Sequence, residues 1–212
     1  MALLMFNSLR GKLEDWSVFI NAAYPELEIR EWPEIGNPED IDYLVIGRPS
    51  LQELPPLPNL KLMLTMLAGV EGIYNNPACP EGIPLVKGEP TSGDPSLTEY
   101  GVTHVLRHHR NLPTYQEQQR QHLWQPIEQI SASERRVGML GYGTMSKPIV
   151  DVLLGMNFDV AAWARTPKPD APIDIFTGPE GFDDFLSRTD IAVCLLPFTP
   201  ETNGILDAGV VA

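Results

Sequence analysis

The chain has 212 residues, 43% of them hydrophobic, and a formal net charge of −13. That length and apolar content allow one large domain or two small ones around a substantial core. The acidic balance argues against nucleic acid and anionic membrane surfaces as partners, and no apolar run reaches the ~20 residues a membrane span needs. Residues 1–6 are apolar but short and lack a basic region or cleavage signature, so they read as a first buried strand rather than a signal peptide. Cys79 and Cys194 sit far apart and fit neither metal-ligand spacing nor a disulfide framework, which places the chain in a reducing cytoplasm. Cys194 lies within an apolar strand and reads as a buried small hydrophobe.

Residues 1 to about 97 alternate between strand-like and helix-like segments. Strands are expected at 3–7, 28–32, 43–47, 62–67 and 84–86. A helix is expected over 13–23, where Leu13, Trp16, Val18, Phe19 and Ile20 recur at helical spacing. Tyr43-Leu44-Val45-Ile46-Gly47 is a continuous apolar run, as a parallel strand buried on both faces requires. Pro55-Pro56-Leu57-Pro58 is a connector. The loop Ala68-Gly69-Val70-Glu71-Gly72 follows a buried strand, and its small residues let backbone N–H groups approach a ligand and cradle a carboxylate. On these residues alone an ordinary glycine turn explains the loop better. The alternation implies a small parallel α/β layer.

From Ser96 the character changes. Asp94-Pro95-Ser96 opens a helix over 96–110, with Leu97, Tyr100, Val102, Val105 and Leu106 on its apolar face. Residues 112–130 are polar and Gln-rich, with Tyr115, Leu123 and Trp124 interspersed; they read either as a partly exposed arm or as a dimer contact. The four histidines, His104, His108, His109 and His122, lie in this region without metal-site spacing and read as surface or interface residues. Strands follow at 136–140, 158–163, 173–176 and 191–196, with helices over 144–156 and 182–187.

The strand at 136–140 runs into Gly141-Tyr142-Gly143 and then into a helix. That arrangement exposes N–H groups where a pyrophosphate can sit. Ser146 stands where the dinucleotide fingerprint prefers a third Gly or Ala, at a modest packing cost. The end of the second strand chooses the cofactor. NAD-binding folds usually carry an acid there, whereas this chain has Trp163-Ala164-Arg165-Thr166, with Lys168 close behind. Arginine matches a 2′-phosphate in charge and in its bidentate fork. The expectation is NADP(H) in preference to NAD(H), weighed against a plain surface arginine. A complete dinucleotide domain has two βαβαβ halves, and one follows here.

Five segments in order resemble the D-isomer-specific 2-hydroxyacid dehydrogenases, nearest to the glyoxylate/hydroxypyruvate reductase A branch. They are Leu67-Ala68-Gly69-Val70-Glu71-Gly72-Ile73, Glu99-Tyr100-Gly101-Val102, Val137-Gly138-Met139-Leu140-Gly141-Tyr142-Gly143, Trp163-Ala164-Arg165-Thr166 and Leu195-Leu196-Pro197-Phe198-Thr199-Pro200-Glu201-Thr202-Asn203-Gly204. The resemblance covers 60–206 and, more loosely, the N-terminal segment. It implies an α/β protein with a flavodoxin-like substrate domain, 1–97, and a Rossmann NAD(P)-binding domain, 98–212, lacking its second half. It also implies an active-site cleft, a homodimer and a small 2-keto or 2-hydroxy acid as substrate.

By the same resemblance, backbone groups of Ala68, Gly69 and Val70 hold the substrate carboxylate. Gly141, Tyr142, Gly143, Thr144 and Met145 hold the pyrophosphate. Arg165 and Thr166 meet the 2′-phosphate, and Leu196, Pro197 and Thr202 line the adenosine side. The family's Arg, Glu and His fall after residue 212, so no catalytic residue is assigned, and the chain is expected to be truncated and inactive alone. Two functions follow. One is an NADP(H)-dependent oxidoreductase interconverting glyoxylate- or hydroxypyruvate-type keto acids and D-2-hydroxy acids. The other is a non-catalytic fragment or pseudoenzyme keeping the fold and weak nucleotide binding. Half a sheet leaves an apolar strand edge open, which implies lowered stability unless a dimer covers it.

Overall fold

The computed structural model describes residues 1–6, 13–47, 51–65, 67, 69–88 and 93–210. The chain divides into two compact units, Met1–Glu89 and Pro90–Ala212.

The first unit is a five-stranded sheet of β1 (Ala2–Phe6), β2 (Glu28–Glu31), β3 (Ile41–Ile46), β4 (Leu62–Thr65) and β5 (Leu85–Lys87). Every pairing is parallel, in the order β2-β1-β3-β4-β5. That 2-1-3-4-5 order is the flavodoxin-like one, so the expected fold class is borne out. All five residues of β1 are buried. Successive side chains point to opposite faces: Leu4 and Phe6 join Ile41, Leu44, Ile46, Met63 and Ile73 in one core, while Leu3 and Met5 join Leu27 and Val45 in another. Helix α1 (Leu13–Ala23) covers the second face through Trp16 and Ile20. Beside it an apolar groove stays open, lined by Leu3, Met5, Tyr43 and Leu64, with Phe19 at 76% exposure on its rim. Helix α2 (Glu71–Tyr74) is a single turn after β4.

The second unit begins with α3 (Pro95–His109). The Asp94 carboxylate accepts a hydrogen bond from Ser96 N–H at 2.8 Å, and Pro95 takes the first helical position. After α4 (Leu112–Arg120) come β6 (Arg136–Leu140), α5 (Lys147–Gly155), β7 (Asp159–Trp163), β8 (Asp174–Phe176), α6 (Gly178–Ser187) and β9 (Ile191–Cys194). The four strands are parallel in the order β8-β7-β6-β9. Within this unit that is 3-2-1-4, the first four strands of the Rossmann order 3-2-1-4-5-6. Two glycines permit close packing. A Cβ on Gly101 would lie 2.8 Å from Ile149 Cδ1, where α3 meets α5, and one on Gly138 would lie 2.7 Å from Phe185 Cζ.

Two local expectations are revised and one is made specific. Residues 112–120, within the stretch read as a partly exposed arm or a dimer contact, form a helix that buries no residue. Its polar surface is tied by Arg120 to Glu117 at 2.7 Å and by Gln121 to Glu117 at 2.8 Å. Cys194 is exposed, not buried. On β9 alternate residues Ile191 and Val193 face the core, which turns Ala192 and Cys194 outward. His109 is buried at 5% exposure, edge-on to Phe158 at 5.0 Å, on the stripe shared with Gly101 and Val105. Burial, and then the charges of Arg135 and Arg110, lower its basicity. His108 and His122 lie on the surface, and half-buried His104 packs against Tyr100 with the two rings tilted by 50°.

Asp190 fastens the sheet where β6 and β9 begin. Its carboxylate accepts from Arg136 Nη2 at 2.6 Å, Arg136 Nε at 3.2 Å and the Arg136 amide at 2.9 Å. These bonds hold the Asp190 carboxyl below the usual carboxylate range, the Arg136 side chain first among the causes. A depressed native pKa gives stability that is present above the unfolded value of about 3.9 and is lost as pH falls through the native one. Asp190→Asn is therefore expected to cost ~1 kcal/mol at neutral pH, moderated by partial exposure. The deficit should shrink as pH falls below the unfolded value and through the lowered native one, in urea titrations run across pH. A pH-independent deficit would contradict this account.

Candidate functional site

In the second unit, the C-terminal ends of three parallel strands meet. Central β6 runs into Gly141, whose N–H donates to the Trp163 carbonyl at 2.9 Å on one side. On the other side Leu195 N–H donates to the Leu140 carbonyl at 2.9 Å. Gly141 adopts φ +98, where an L side chain is strained, and a Cβ there would lie 3.3 Å from both Leu195 O and Leu196 Cδ2. The turn thus needs glycine for its own conformation and for the approach of the β9 loop. Tyr142 is 8% exposed and packs into the core with Val105 and Ile149. Its ring carries the Lys147 ammonium at 5.8 Å.

Past Tyr142 the chain opens out. Gly143 has no atom within 4 Å of a Cβ position. Its carbonyl accepts from Ser146 and Lys147 N–H, both at 3.1 Å. This tight turn delays α5 to Lys147, three residues later than the sequence suggests. The amides of Gly143, Thr144 and Met145 donate to no acceptor among the described residues. Free amides around open space at the start of a helix form an anion cradle. Ser146 is buried at 2% exposure, so the fingerprint's third small position packs closely with a serine.

The cradle has two flanks. After β7, Ala164 is buried while Arg165 and Thr166 are exposed. Trp163 Nε1 donates to the Gly178 carbonyl at 2.9 Å and anchors that flank. After β9, half-buried Leu196 leads into Pro197, and the Thr202 hydroxyl closes the loop. It accepts from Thr199 N–H at 2.9 Å and donates to the Pro197 carbonyl. That hydroxyl is spent within the protein, so Thr202 shapes the wall rather than offering a free donor.

In the first unit, β4 ends at Thr65, whose hydroxyl donates to the Ile46 carbonyl at 2.8 Å. Gly69 is exposed, and Val70 starts α2 through its carbonyl, which accepts from Ile73 and Tyr74 N–H, both at 3.0 Å. Neither Gly69 nor Val70 N–H donates to an acceptor among the described residues. Ala68 lies outside the described residues. The Glu71 carboxylate stands close to Gly69, with Oε2 2.8 Å from the Cβ position. The sequence reading did not single out Glu71 or Lys147 as neighbours of the two turns.

A 3-2-1-4 parallel sheet with a free-amide turn at its central strand defines a Rossmann nucleotide-binding unit. Residues 102–212 match the family described as D-isomer specific 2-hydroxyacid dehydrogenase, NAD binding domain, and the chain belongs to that family. It is similar to glyoxylate/hydroxypyruvate reductase A of Yersinia enterocolitica, 34% identical over 199 residues, covering 92% of this chain and 63% of that protein. Among solved structures, it resembles an NADPH-dependent glyoxylate/hydroxypyruvate reductase of Sinorhizobium meliloti in complex with NADP and sulfate. The TM-score is 0.79 and the identity 27%, over 99% of this chain and 67% of that one. A D-isomer specific 2-hydroxyacid dehydrogenase of Xanthobacter autotrophicus Py2, in complex with NADPH and MES, gives a TM-score of 0.76 at 31% identity, over 99% and 68% of the two chains. The chain thus spans about 63% of the length of the curated relatives it matches. No helix among the described residues is long and apolar enough to cross a membrane.

Proposed function

We propose that the second unit binds NADP(H) in preference to NAD(H), and that the protein serves reduction of small 2-keto acids of the glyoxylate or hydroxypyruvate type. The observation that carries this reading is the trio of free amides at Gly143, Thr144 and Met145, with open space at Gly143 and with Arg165 exposed just past the end of the neighbouring strand β7. Those amides, with Gly141 and Tyr142 shaping the turn, hold the pyrophosphate. Arg165 and Thr166 take the 2′-phosphate, and Leu196, Pro197 and the loop closed by Thr202 form the adenosine wall. When bound, the nicotinamide supplies a hydride to the keto carbon. In the first unit, the backbone at Ala68, Gly69 and Val70 takes the substrate carboxylate. We assign no proton donor among these 212 residues. The similar proteins named as NADPH-dependent or bound to NADP support the cofactor choice.

Titration of the 212-residue chain with NADPH and NADH, read by nicotinamide fluorescence, tests this reading. NADPH is expected to bind more tightly. Arg165→Ala should weaken NADPH by ~10-fold or more and leave NADH within about 2-fold, because only the 2′-phosphate meets the guanidinium. Equal affinities in the wild type, unchanged by the substitution, would refute the NADP(H) assignment.

We further propose a cytoplasmic homodimer. Trp124 is 96% exposed and Leu123 51%, on the segment after α4. The Tyr115 hydroxyl fixes that segment by accepting from Ile127 N–H at 3.0 Å. A tryptophan displayed on an ordered support suits an interface anchor. Trp124→Ser should raise the dimer dissociation constant by ~30-fold in analytical ultracentrifugation. A wild-type monomer at high concentration would rule the dimer out.

A further inference from the structure

Two hydrogen bonds tie the end of β7 to the elements beside it, and both fall immediately before Arg165. Trp163 is the last residue of β7 and pairs in register with Phe176, the last of β8. One residue on, the N–H of buried Ala164 donates to the Phe176 carbonyl at 3.0 Å. The second tie is a side chain. Trp163 Nε1 donates to the carbonyl of Gly178, the first residue of α6, at 2.9 Å. The Trp163 ring meets Phe182 of the same helix edge-on, at 5.1 Å and 67°. The helix start that receives this bond is itself seated on β8, since a Cβ on Gly181 would lie 3.5 Å from the Phe176 carbonyl carbon. Packing of a half-buried ring on Phe182 needs no N–H; the indole nitrogen adds a directed bond to a fixed post. Arg165 is the first residue beyond this tied end. It is exposed and forms no salt bridge among the described residues.

We propose that Trp163 is a positioning residue for recognition of the 2′-phosphate: its bond to Gly178 holds the end of β7, so that Arg165 meets the phosphate from an anchored backbone. The inference rests on the cofactor reading above. A bidentate guanidinium–phosphate contact demands a defined geometry, and every side chain or loop that must be ordered on binding subtracts from affinity. With residues 163 and 164 anchored, only the arginine side chain has to be ordered. Without the indole bond, the end of β7 keeps the Ala164 tie alone. The Arg165 backbone then has to be ordered along with its side chain, which weakens NADPH. A plain ribose carries no phosphate for Arg165 to meet, so NADH binding does not depend on the bond.

The test is a double-mutant cycle read by nicotinamide fluorescence. Wild type, Trp163→Phe, Arg165→Ala and the double variant are each titrated with NADPH and with NADH. Trp163→Phe keeps an aromatic ring against Phe182 and deletes the donor. It is expected to weaken NADPH by ~5-fold, the scale of one net hydrogen bond, and NADH by less than about 2-fold. In the Arg165→Ala background the same change should move NADPH by less than about 2-fold, because Trp163 acts through Arg165. Equal weakening of both dinucleotides is what a merely structural tryptophan would give, and it overturns this inference alone. So does an unchanged NADPH affinity in Trp163→Phe, or a loss that persists undiminished in the Arg165→Ala background. If Trp163→Phe does not fold, replacing the Trp163 indole alone by benzothiophene, which keeps the two-ring shape and lacks the N–H, makes the same comparison. Wild type that binds neither dinucleotide, or binds both equally with Arg165→Ala changing neither, overturns the cofactor reading and this inference with it.

Discussion

A valine at position 143 should remove measurable binding of both NADPH and NADH and leave the melting temperature within about 2 °C of wild type. Gly143 meets nothing within 4 Å of its Cβ position, and its φ is not in the left-handed region, so the folded chain accepts a side chain there. The branched side chain instead fills the space in front of the free amides of Gly143, Thr144 and Met145. Loss of several charge-assisted hydrogen bonds to a pyrophosphate costs ~3 kcal/mol or more, above 100-fold in affinity. Gly141 provides the contrast. Its φ of +98 and its contacts at 3.3 Å with Leu195 and Leu196 make substitution there a folding lesion as well. Thermal melts and titrations on the two variants separate these cases. If Gly143→Val kept its affinity, the cradle would lie elsewhere.

The second large effect falls on Gly138, in the middle of the strand that leads into the turn. Gly138→Ala is expected to destabilise the second unit by ~3 kcal/mol, lowering its melting temperature by about 10 °C. A Cβ would collide with the Thr189 side chain and sit 2.7 Å from Phe185 Cζ. Neither neighbour can yield cheaply: Phe185 is fully buried, and Thr189 Oγ1 is fixed by donation to the Phe185 carbonyl at 2.7 Å. Overpacking against such partners forces the backbone of β6 and α6 apart. A melt within 2 °C of wild type would show that α6 shifts freely, contrary to this account.

Much of this architecture was legible because parallel strands announce themselves as apolar runs. All nine strands among the described residues overlap the segments where the residue pattern places them, from residues 2–6 to 191–194. The strand-turn-helix at 136–155 was legible too, since glycines between an apolar run and a helix have few other uses. What escaped lacks a local signature. Helix α4 buries no residue and has Glu117 pairs that any exposed segment could carry. Gly138 matters through residues 185 and 189, and no window of sequence joins them. His109 was readable in hindsight, since it extends the Gly101 and Val105 stripe by one more turn of α3, but its residue type suggested a surface position. At the site, the motif pointed to the turn, yet only the hydrogen bonds separate Gly141 from Gly143 and show the Thr202 hydroxyl already engaged.

The outward face of β9 gives the molecule a chemical handle. Cys194 lies exposed on it, whereas Cys79 is partly enclosed and burial raises its thiol pKa. The two thiols therefore differ in access, and burial lowers the thiolate fraction of Cys79, both of which slow its alkylation. A maleimide fluorophore can be directed to Cys194 without mutagenesis, at the end of the strand next to the one that carries the nucleotide turn. A dye placed there sits in the wild-type chain as a reporter of whatever next comes to rest against that face.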